Sequence, residues 1–430
     1  MNILVTGATG LIGSAICARL KGDGHRIVGV IRPGSLRQHR HLLDEIVEID
    51  IAKAVRPEDW TPHLSGIDAV VNCAGVLQDS PRESTQGVHA IGPDALFAAC
   101  ESSNVRRVIH FSAIGVDRGE LSDFSRSKFA GDQALMARDL DWVILRPSVV
   151  LGRAVFGASA LFRGLAALPF VPQTPGTGKL QVVRLDDVVE TVAFFLKPGA
   201  PAQVALELAG PERLEFSEIV AEYRRWLGWP PARVVGLSDT LSNLTYRLGD
   251  LVGILGWRPA MRTTAQREIV RGAVGDPTEW RTVTGIEPRS LQDSLHADPA
   301  SVQERWFAKL YFLRPVIFAV FAVFWIGTGI ISLGPGWELG VRLMEQAGAG
   351  PLSAPGVVAG ALADIAIGIA IAYRPTAKWG LYGALVLSAF YLVTGTILMP
   401  VLWSDPIGPM FKILPIMALN LVALAILEER

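Results

Sequence analysis

Residues 1–14 read MNILVTGATGLIGS, in which a short apolar run ends at Gly7 and two more glycines follow at Gly10 and Gly13. A helical pattern then continues through Leu20, so the order predicts a strand, a tight turn and a helix start. Such glycines allow an unusual backbone angle, a close approach of a pyrophosphate and close packing of helix on strand. The helix N-terminus then faces the phosphates, which predicts a dinucleotide-binding turn; a purely structural glycine turn is the alternative.

The composition separates the chain into two parts. It has 430 residues, enough for two or three domains, and its net charge of -1 indicates no nucleic-acid partner. Three cysteines lie far apart and predict neither a metal site nor a disulfide framework. Because the first strand begins at once, we expect no cleaved signal peptide. Apolar residues are concentrated towards the C-terminus, so we predict domains at residues 1–300 and 301–430.

Strands and helices alternate over the first part of the chain. The predicted strands are residues 3–5, 26–31, 46–49, 69–72, 107–112 and 142–145, and predicted helices between them include 87–102 and 123–138. Alternation of this kind gives a doubly wound parallel sheet with helices on both faces. We therefore predict an α/β Rossmann domain, whose ligand binds at the carboxyl ends of the strands.

Residues after the second and third predicted strands indicate the cofactor. Arg32 ends the second strand, and Arg37 and Arg40 follow. An acidic residue at this position binds the ribose 2′-hydroxyl of NAD, whereas a basic residue accommodates the 2′-phosphate of NADP. We therefore expect NADP(H) as the preferred cofactor, with NAD(H) as a possible one. The alternative interpretation is that these arginines form a solvated basic loop without a role in binding. Asp50 and Ile51 are the candidates for holding the adenine.

Several segments carry a family pattern. They are Thr6-Gly7-Ala8-Thr9-Gly10-Leu11-Ile12-Gly13, Asp50-Ile51, Asn72-Cys73-Ala74-Gly75, Ser112, Lys128, Leu145-Arg146-Pro147-Ser148, VRLDDV at 183–188 and LAGPE at 208–212. Over roughly residues 1–295 the chain resembles the short-chain dehydrogenase/reductase superfamily, in particular the atypical branch with the NADPH-binding accessory subunit of respiratory complex I. The resemblance implies cofactor contacts from Gly7, Thr9, Gly10, Leu11, Ile12, Gly13, Arg32, Asp50, Ile51, Ala74, Gly75, Lys128 and Pro147.

The chain departs from this family at the catalytic tyrosine. The family uses a Tyr four residues before a Lys, which places both side chains on one helix face. Here Phe124 precedes Lys128, and a phenyl ring neither donates nor accepts a proton. The first tyrosine of the chain is Tyr223. By resemblance, Lys128 holds the nicotinamide ribose and Ser112 is the catalytic hydroxyl, although Ala113 is an alternative match; an ordinary exposed helix lysine is the other interpretation of Lys128.

Phe124 leaves two hypotheses. In the first, the chain is an oxidoreductase or epimerase-like enzyme on a lipid-soluble substrate such as a quinone. It then uses a substitute hydroxyl, from Ser125 or Ser127, or transfers hydride directly to the acceptor. In the second, it binds NADPH without turnover, as a sensor or assembly subunit. A membrane part that only anchors a non-catalytic interaction module also remains open.

The middle of the chain offers two weaker features. The aromatic residues Phe156, Phe162 and Phe170 are candidates for an apolar substrate pocket, with plain core as the alternative. Residues 262–272 predict a basic amphipathic helix, which either lies on a membrane surface or is a solvated face.

Four long apolar stretches follow, at about residues 315–333, 355–373, 379–400 and 409–427. Each is close to the ~20 residues that cross a bilayer, so we predict an all-α four-helix transmembrane bundle. Basic residues mark the cytoplasmic side of such spans, and they are found before the first span and between the second and third. We therefore expect a multi-pass protein of the cell inner membrane with both termini in the cytoplasm.

In span number, size and fusion to a dehydrogenase-like domain, the region resembles the DoxX-like family, which implies a link to redox and quinone metabolism. Asp364 lies within the second span, where an ionisable group is costly and indicates a functional or helix-pairing role. The expected partners are a small-molecule or lipid-soluble substrate and membrane lipids, with a homo-oligomer or another membrane protein left open.

Overall fold

The computed structural model describes residues 1–34, 40–80, 83–119 and 122–427. The chain divides into two compact units. Within the described residues, the first comprises Met1–Leu251 and Pro259–Lys309, and the second comprises Val252–Arg258 and residues 310–427.

A parallel sheet forms the centre of the first unit. The strands are β1 Asn2–Thr6, β2 Arg26–Ile31, β3 Glu45–Glu48, β4 Ala69–Asn72, β5 Arg107–Phe111, β6 Asp141–Pro147, β7 Val149–Leu151, β8 Phe170–Gln173, β9 Val182–Arg184, β10 Val204–Leu208 and β11 Arg233–Gly236. The main sheet has the order β10-β6-β5-β4-β1-β2-β3, while β11 pairs with β8 and β7 with β9. The strand order reverses direction between β1 and β4, which is the switch point where such sheets bind ligands. The predicted doubly wound parallel sheet is confirmed.

The helices of the first unit are α1 Leu11–Gly22, α2 Gly92–Ser102, α3 Asp123–Met136, α4 Gly157–Ala166, α5 Leu185–Phe195, α6 Phe216–Trp226, α7 Asp239–Ile254, α8 Thr263–Arg271, α9 Thr278–Thr284 and α10 Leu291–His296. A π-helical turn, Gly87–Ile91, begins the stretch that was predicted as one continuous helix. Short 3-10 turns lie at Arg40–Leu42, Pro57–Asp59 and Thr61–His63. The last three residues of α7 already belong to the second unit.

Apolar side chains pack on both faces of the main sheet. One layer contains Ile16, Leu20, Val188, Phe195 and Trp280 from α1, α5 and α9. The other contains Trp60, Leu96, Phe97, Cys100 and Leu135, mostly from α2 and α3. Strands with apolar residues on both faces read as near-continuous hydrophobic runs, which is why β1, β4 and β5 could be recognised in the sequence.

The second unit is helical. Its helices are α11 Val302–Leu333, α12 Trp337–Gln346, α13 Ser353–Ala372, α14 Ala377–Leu398 and α15 Pro409–Leu427, with 3-10 turns at Gly350–Leu352 and Pro400–Trp403; α11 begins in the first unit. Helices α11, α13, α14 and α15 are long and apolar enough to cross a membrane and coincide with the four predicted spans. Helix α11 begins earlier than the predicted span, and α12 was not predicted.

Small residues let these helices pack closely. A side chain at Gly329 would meet the Ala361 carbonyl oxygen at 2.5 Å, and one at Gly368 would meet the Ala322 carbonyl oxygen at 2.9 Å. Close approach at small residues is the usual way in which membrane helices associate. The Tyr391 hydroxyl donates a hydrogen bond to Asp364 Oδ1 at 3.3 Å, so Asp364 links α13 to α14.

Candidate nucleotide-binding site

The turn between β1 and α1 forms a cradle of backbone groups. Gly7 has a φ of +62°, and a Cβ there would lie 3.0 Å from the Cα of Ala74. Gly10 donates its N–H to the Gly7 carbonyl at 2.8 Å and immediately precedes α1. The first turn of α1 has no acidic residue, and no side chain caps it within the described chain. Because the first N–H groups of a helix lack partners inside it, they are open to a phosphate.

Gly13 serves the packing of α1 on this turn. A Cβ at Gly13 would lie 2.2 Å from the Gly7 carbonyl oxygen, which leaves no room for any other residue. Thr9 lies in the turn, and Leu11 and Ile12 open the helix. The structure thus brings the six predicted phosphate-side residues together: Gly7, Thr9, Gly10, Leu11, Ile12 and Gly13. Their backbone fits the pyrophosphate of a dinucleotide.

The adenosine side is less simple than the sequence suggested. Arg32 follows β2, but its Nη1 pairs with Glu83 Oε1 at 3.1 Å, so its charge already has a partner. Arg40 pairs with Glu48 at 3.4 Å, and Arg37 lies outside the described residues. Asp50 is half-buried and pairs with the Lys53 amine at 3.5 Å. Ile51 packs partly against the core.

Buried polar residues tie together the ends of the central strands. Thr6 Oγ1 donates to Asn72 Oδ1 at 2.5 Å and accepts the Ala74 N–H at 3.3 Å. The Asn72 amide nitrogen lies 2.9 Å from His110 Nδ1. Burial lowers the pKa of His110, so the ring is neutral and accepts this hydrogen bond. The carboxyl ends of β1, β4 and β5 are thereby held in register at the switch point.

Lys128 reaches the same edge from α3. Its Nζ is buried and donates to the Phe111 carbonyl at 2.7 Å and to the Ala74 carbonyl at 3.4 Å. A Cβ at Gly75 would lie 3.4 Å from this Nζ, so the glycine keeps the amine approachable. Burial lowers the pKa of Lys128 to about 8. An ammonium has three donors, so one remains for a ribose hydroxyl, as expected for the family lysine. Lys128 is therefore not an ordinary exposed lysine.

Phe124 packs against a histidine that sequence reasoning missed. The rings of Phe124 and His89 meet edge to face at 5.4 Å. His89 Nε2 accepts the Val76 N–H at 3.0 Å, and His89 Nδ1 lies 2.8 Å from Ser127 Oγ, which donates to the Phe124 carbonyl at 2.9 Å. Both ring nitrogens thus form hydrogen bonds, and burial lowers the pKa of His89, so the ring is neutral. His89 therefore cannot replace the family tyrosine as a proton donor.

The candidate hydroxyls are also constrained. Ser127 is held by His89, and Ser125 Oγ donates to Glu268 at 3.0 Å. Ser112 follows β5, and its N–H donates to the Leu145 carbonyl at 2.8 Å. Among the described residues the buried Ser112 Oγ has no well-formed hydrogen bond, but it lies close enough to the Asp132 carboxyl to lower the pKa of that group. Pro147 ends the neighbouring strand β6, and its carbonyl accepts the Ile114 N–H at 3.1 Å.

A buried carboxylate behind Lys128 is a further residue that the sequence reading missed. Asp132 Oδ2 accepts hydrogen bonds from Arg146 Nε at 3.1 Å and Nη2 at 3.0 Å, and Asp117 pairs with the same guanidinium. Burial raises the pKa of Asp132 to about 6, against the lowering influence of the Ser112 hydroxyl and of Arg146. Asp132 stands four residues after Lys128, on the same face of α3, and this spacing could have revealed it.

Phe124 also lines a cavity of about 230 Å³. The lining is mainly polar and includes Asp79, Thr85, Asp250 and Arg262. Arg262 Nε lies 3.0 Å from Asp250 Oδ1, so the two charges are paired beside the cavity. The position of the missing tyrosine thus faces space that could admit the polar head of a substrate.

The three aromatic residues proposed for an apolar pocket do not form one. Phe162 is buried in the core and stacks on Tyr223 at 6.0 Å between ring centres. Phe156 and Phe170 are both exposed. The alternative interpretation, that the aromatic residue belongs to the core, is correct for Phe162. This residue is buried because α4 packs on α6.

Sheet topology, glycine cradle and buried lysine define a nucleotide-binding Rossmann domain of the short-chain dehydrogenase/reductase type. Residues 3–204 match the NAD dependent epimerase/dehydratase family, and residues 322–421 match the DoxX-like family. The amino-terminal domain therefore belongs to the first family, and the C-terminal helices form a DoxX-like domain. Together with the four apolar helices, this makes the chain a membrane protein.

Individual proteins show the same relationships. Ceramide reductase of Caulobacter vibrioides is 24% identical over 239 residues, which are 55% of this chain and 74% of the relative. The 40 kDa subunit of mitochondrial NADH-ubiquinone oxidoreductase of Neurospora crassa is 25% identical over 298 residues, 67% of this chain and 76% of the relative. The predicted relation to the complex I branch is thus confirmed.

Among solved structures, the Bordetella bronchiseptica enzyme WbmG in complex with NAD matches 72% of this chain and 96% of its own, with a TM-score of 0.55 and 17% identity. At this identity the match establishes the shared fold. A nicotinamide nucleotide as cofactor is supported by this fold together with the family match.

Proposed function

We propose that the chain is a membrane-anchored NAD(P)H-dependent oxidoreductase that reduces a lipid-soluble acceptor such as a quinone. One observation carries the proposal: the buried Lys128 amine is retained at the nucleotide edge while Phe124 occupies the place of the proton-donating tyrosine. A lysine held in this costly position indicates that nucleotide binding is kept. The acceptor must then be one that does not depend on a phenol.

A quinone meets this condition. A bound reduced nicotinamide supplies a hydride to the acceptor. A carbonyl reduced to an alkoxide needs a proton as it forms, whereas a quinone that takes up hydride becomes a hydroquinone anion, whose charge is spread over an aromatic ring. That anion takes its proton from water afterwards, so no tyrosine is required. Lys128 would orient the ribose and place positive charge near the anion.

Three further observations support a lipid-soluble substrate. The same chain carries four apolar helices and a DoxX-like domain. A related protein is called ceramide reductase, so reductases of lipid molecules occur among its relatives. The polar cavity beside Phe124 suits the polar head of such a molecule. Membrane lipids would be the second partner of the chain. The net charge of -1 gives no reason to propose a nucleic-acid partner.

The proposal includes NADP(H) as the preferred cofactor, because Arg32 follows β2, where a basic residue suits the 2′-phosphate in this class of domain. Its pairing with Glu83 means that the phosphate would have to share or displace that carboxylate. We also propose the inner membrane as the location and the cytoplasm as the side of both termini, because Arg374 and Lys378 flank the short connection between α13 and α14.

A second candidate function rests on Phe124 itself. Since His89, Ser125 and Ser127 are all engaged elsewhere, the domain could bind a nucleotide without turning it over, as a sensor or assembly subunit. The relation to a complex I subunit is compatible with such a role.

One experiment distinguishes the two candidates. The full chain in detergent is mixed with NADPH and a short-chain quinone, and the absorbance of reduced nicotinamide is followed. We expect oxidation of NADPH that falls at least about hundredfold in Lys128→Met, a loss typical of removing a group that stabilises charge in the transition state. The Phe124→Tyr variant should retain turnover within a few-fold. NADPH that binds but is not oxidised by any quinone would contradict the reductase and favour the sensor.

A further inference from the structure

Helix α7 exposes a row of leucines. Its leucines Leu241, Leu244, Leu248 and Leu251 are 50%, 52%, 51% and 59% exposed. Their spacing of three and four residues places them on one face of the helix. Leu255, 41% exposed, continues the same line into the turn after α7. These five residues are called the leucine stripe below.

The opposite face of α7 is the buried one, and it is poor in large apolar residues. Ser242 and Tyr246 are 2% and 3% exposed, and Gly249 and Gly253 are also buried. A Cβ at Gly249 would lie 1.8 Å from the Met261 carbonyl oxygen, so the segment around Met261 packs directly against this face of α7. Small and polar residues thus face the protein, and leucines face outward. The outward face of α7 is therefore an apolar surface that no described part of the chain covers.

The last three residues of α7 and the turn after it belong to the second unit. The Leu255 carbonyl accepts the Arg374 N–H at 3.0 Å. The Trp257 indole donates to the Ala372 carbonyl, the last residue of span α13, at 2.8 Å, and its ring lies 4.7 Å from that of Phe318 in span α11. Since α7 continues without a break into this segment, its C-terminal end is fixed at the ends of two spans.

We propose that α7 lies in the surface of the bilayer that the four spans cross, with the leucine stripe among the lipid acyl chains. A helix that lies in this interface has one apolar face and polar or basic flanks, and the exposed Arg247 beside the stripe fits such a flank. Lipid is the occupant favoured here because the spans bring a bilayer to the point where the stripe ends. The placement does not depend on whether the domain turns over any substrate.

The test uses the full chain in phospholipid nanodiscs, with an environment-sensitive fluorophore on Leu248→Cys and, separately, on Leu244→Cys. Val55→Cys is the matched control, because Val55 is an exposed apolar residue of the same unit outside α7. The unsubstituted chain, with Cys17 and Cys100 buried and Cys73 half-buried, gives the labelling background. Two quenchers are compared: a nitroxide on a lipid acyl chain, and iodide in the water.

We expect both α7 probes to lose most of their fluorescence to the nitroxide lipid and little to iodide, and the Val55 probe to behave in the opposite way. Iodide quenching at Leu244 and Leu248 as strong as at Val55 would overturn the proposal, because the stripe would then face water. Protection of both α7 probes from both quenchers would also overturn it, because a second copy or another protein would then cover the stripe.

Discussion

Lys128 is the residue on which the nucleotide site depends most. It combines a buried amine, two carbonyl acceptors and a neighbouring glycine that leaves the amine approachable. Such a buried charge is unfavourable for folding, and it is retained where function requires it. Phe124 lies one helical turn earlier. It lacks the hydroxyl of the family tyrosine, so it offers no proton donor, but its ring packs against His89.

The burial of Lys128 makes stability depend on pH. Its pKa in the folded chain is about 8, against an ordinary value of 10.5. At a pH between these two values, Lys128 holds a proton in the unfolded chain that it has released in the folded chain, so its contribution to the free energy of unfolding rises with pH. The full increment is roughly 3 kcal/mol. The buried cysteines, whose pKa values are raised, contribute in the opposite direction but equally in the wild type and in Lys128→Met. Thermal unfolding in detergent should therefore show that the stability of the wild type rises relative to that of Lys128→Met as the pH increases; parallel pH profiles of the two would contradict the assignment.

Arg32 is predicted to set the choice between the two nicotinamide cofactors. Replacement by alanine should weaken NADPH binding by about tenfold, the equivalent of one charge-assisted hydrogen bond, and leave NADH binding nearly unchanged. Arg40→Ala, which removes an arginine already paired with Glu48, is the matched control. Titration calorimetry with both nucleotides measures the effect. An equal loss for NADH and NADPH would mean that Arg32 does not contact the 2′-phosphate.

Among the elements, those with a local signal could be predicted well. Strands β2 and β4 have the predicted bounds, because buried strands of a parallel sheet are short apolar runs between polar turns. The π-helical turn before α2 could not be predicted. Its neighbour Gly92 would place a Cβ 2.1 Å from the Ile51 carbonyl oxygen, so a contact with a distant segment shapes this region.

The helix predicted at residues 262–272 is found as α8, Thr263–Arg271, but the other elements between residues 229 and 300 could not be predicted, for a different reason. Helix α7 exposes its leucines and buries Ser242 and Tyr246, so its pattern does not indicate an ordinary core-facing helix. The residues of the site also fall into those that the sequence predicts and those that it does not. The glycine turn and Lys128 carry local motifs, whereas His89 acquires its role from Ser127, a residue far away in the sequence.

For the whole molecule, the proposed topology places the nucleotide domain and both termini on the side where the short connection between α13 and α14 lies. The expected result is that protease cleaves the nucleotide domain in inside-out membrane vesicles and leaves it intact in sealed right-side-out vesicles. The physical reason is that basic residues in short loops remain on the cytoplasmic side. Cleavage of the domain in right-side-out vesicles alone would reverse the topology.

The central claim is that the amino-terminal glycine turn binds a nicotinamide nucleotide, and Gly10 tests it most directly. Gly10 has extended backbone angles, φ −74° and ψ 173°, which suit an asparagine or aspartate as the N-cap of α1. A Cβ at Gly10 would lie 3.1 Å from the Gly7 carbonyl oxygen, a tight contact that both variants share, so their melting temperatures are compared with each other and with that of the wild type. An aspartate would also place a negative charge against the pyrophosphate, whereas asparagine has nearly the same size without the charge.

The measurement is titration calorimetry of NADPH and NADH into the full-length wild type, Gly10→Asn and Gly10→Asp in detergent. We predict that the wild type binds nucleotide, that Gly10→Asn binds more weakly, and that Gly10→Asp gives no measurable heat although it melts at the same temperature as Gly10→Asn. No binding of either nucleotide by the wild type, or equal binding by the two variants, would contradict the claim.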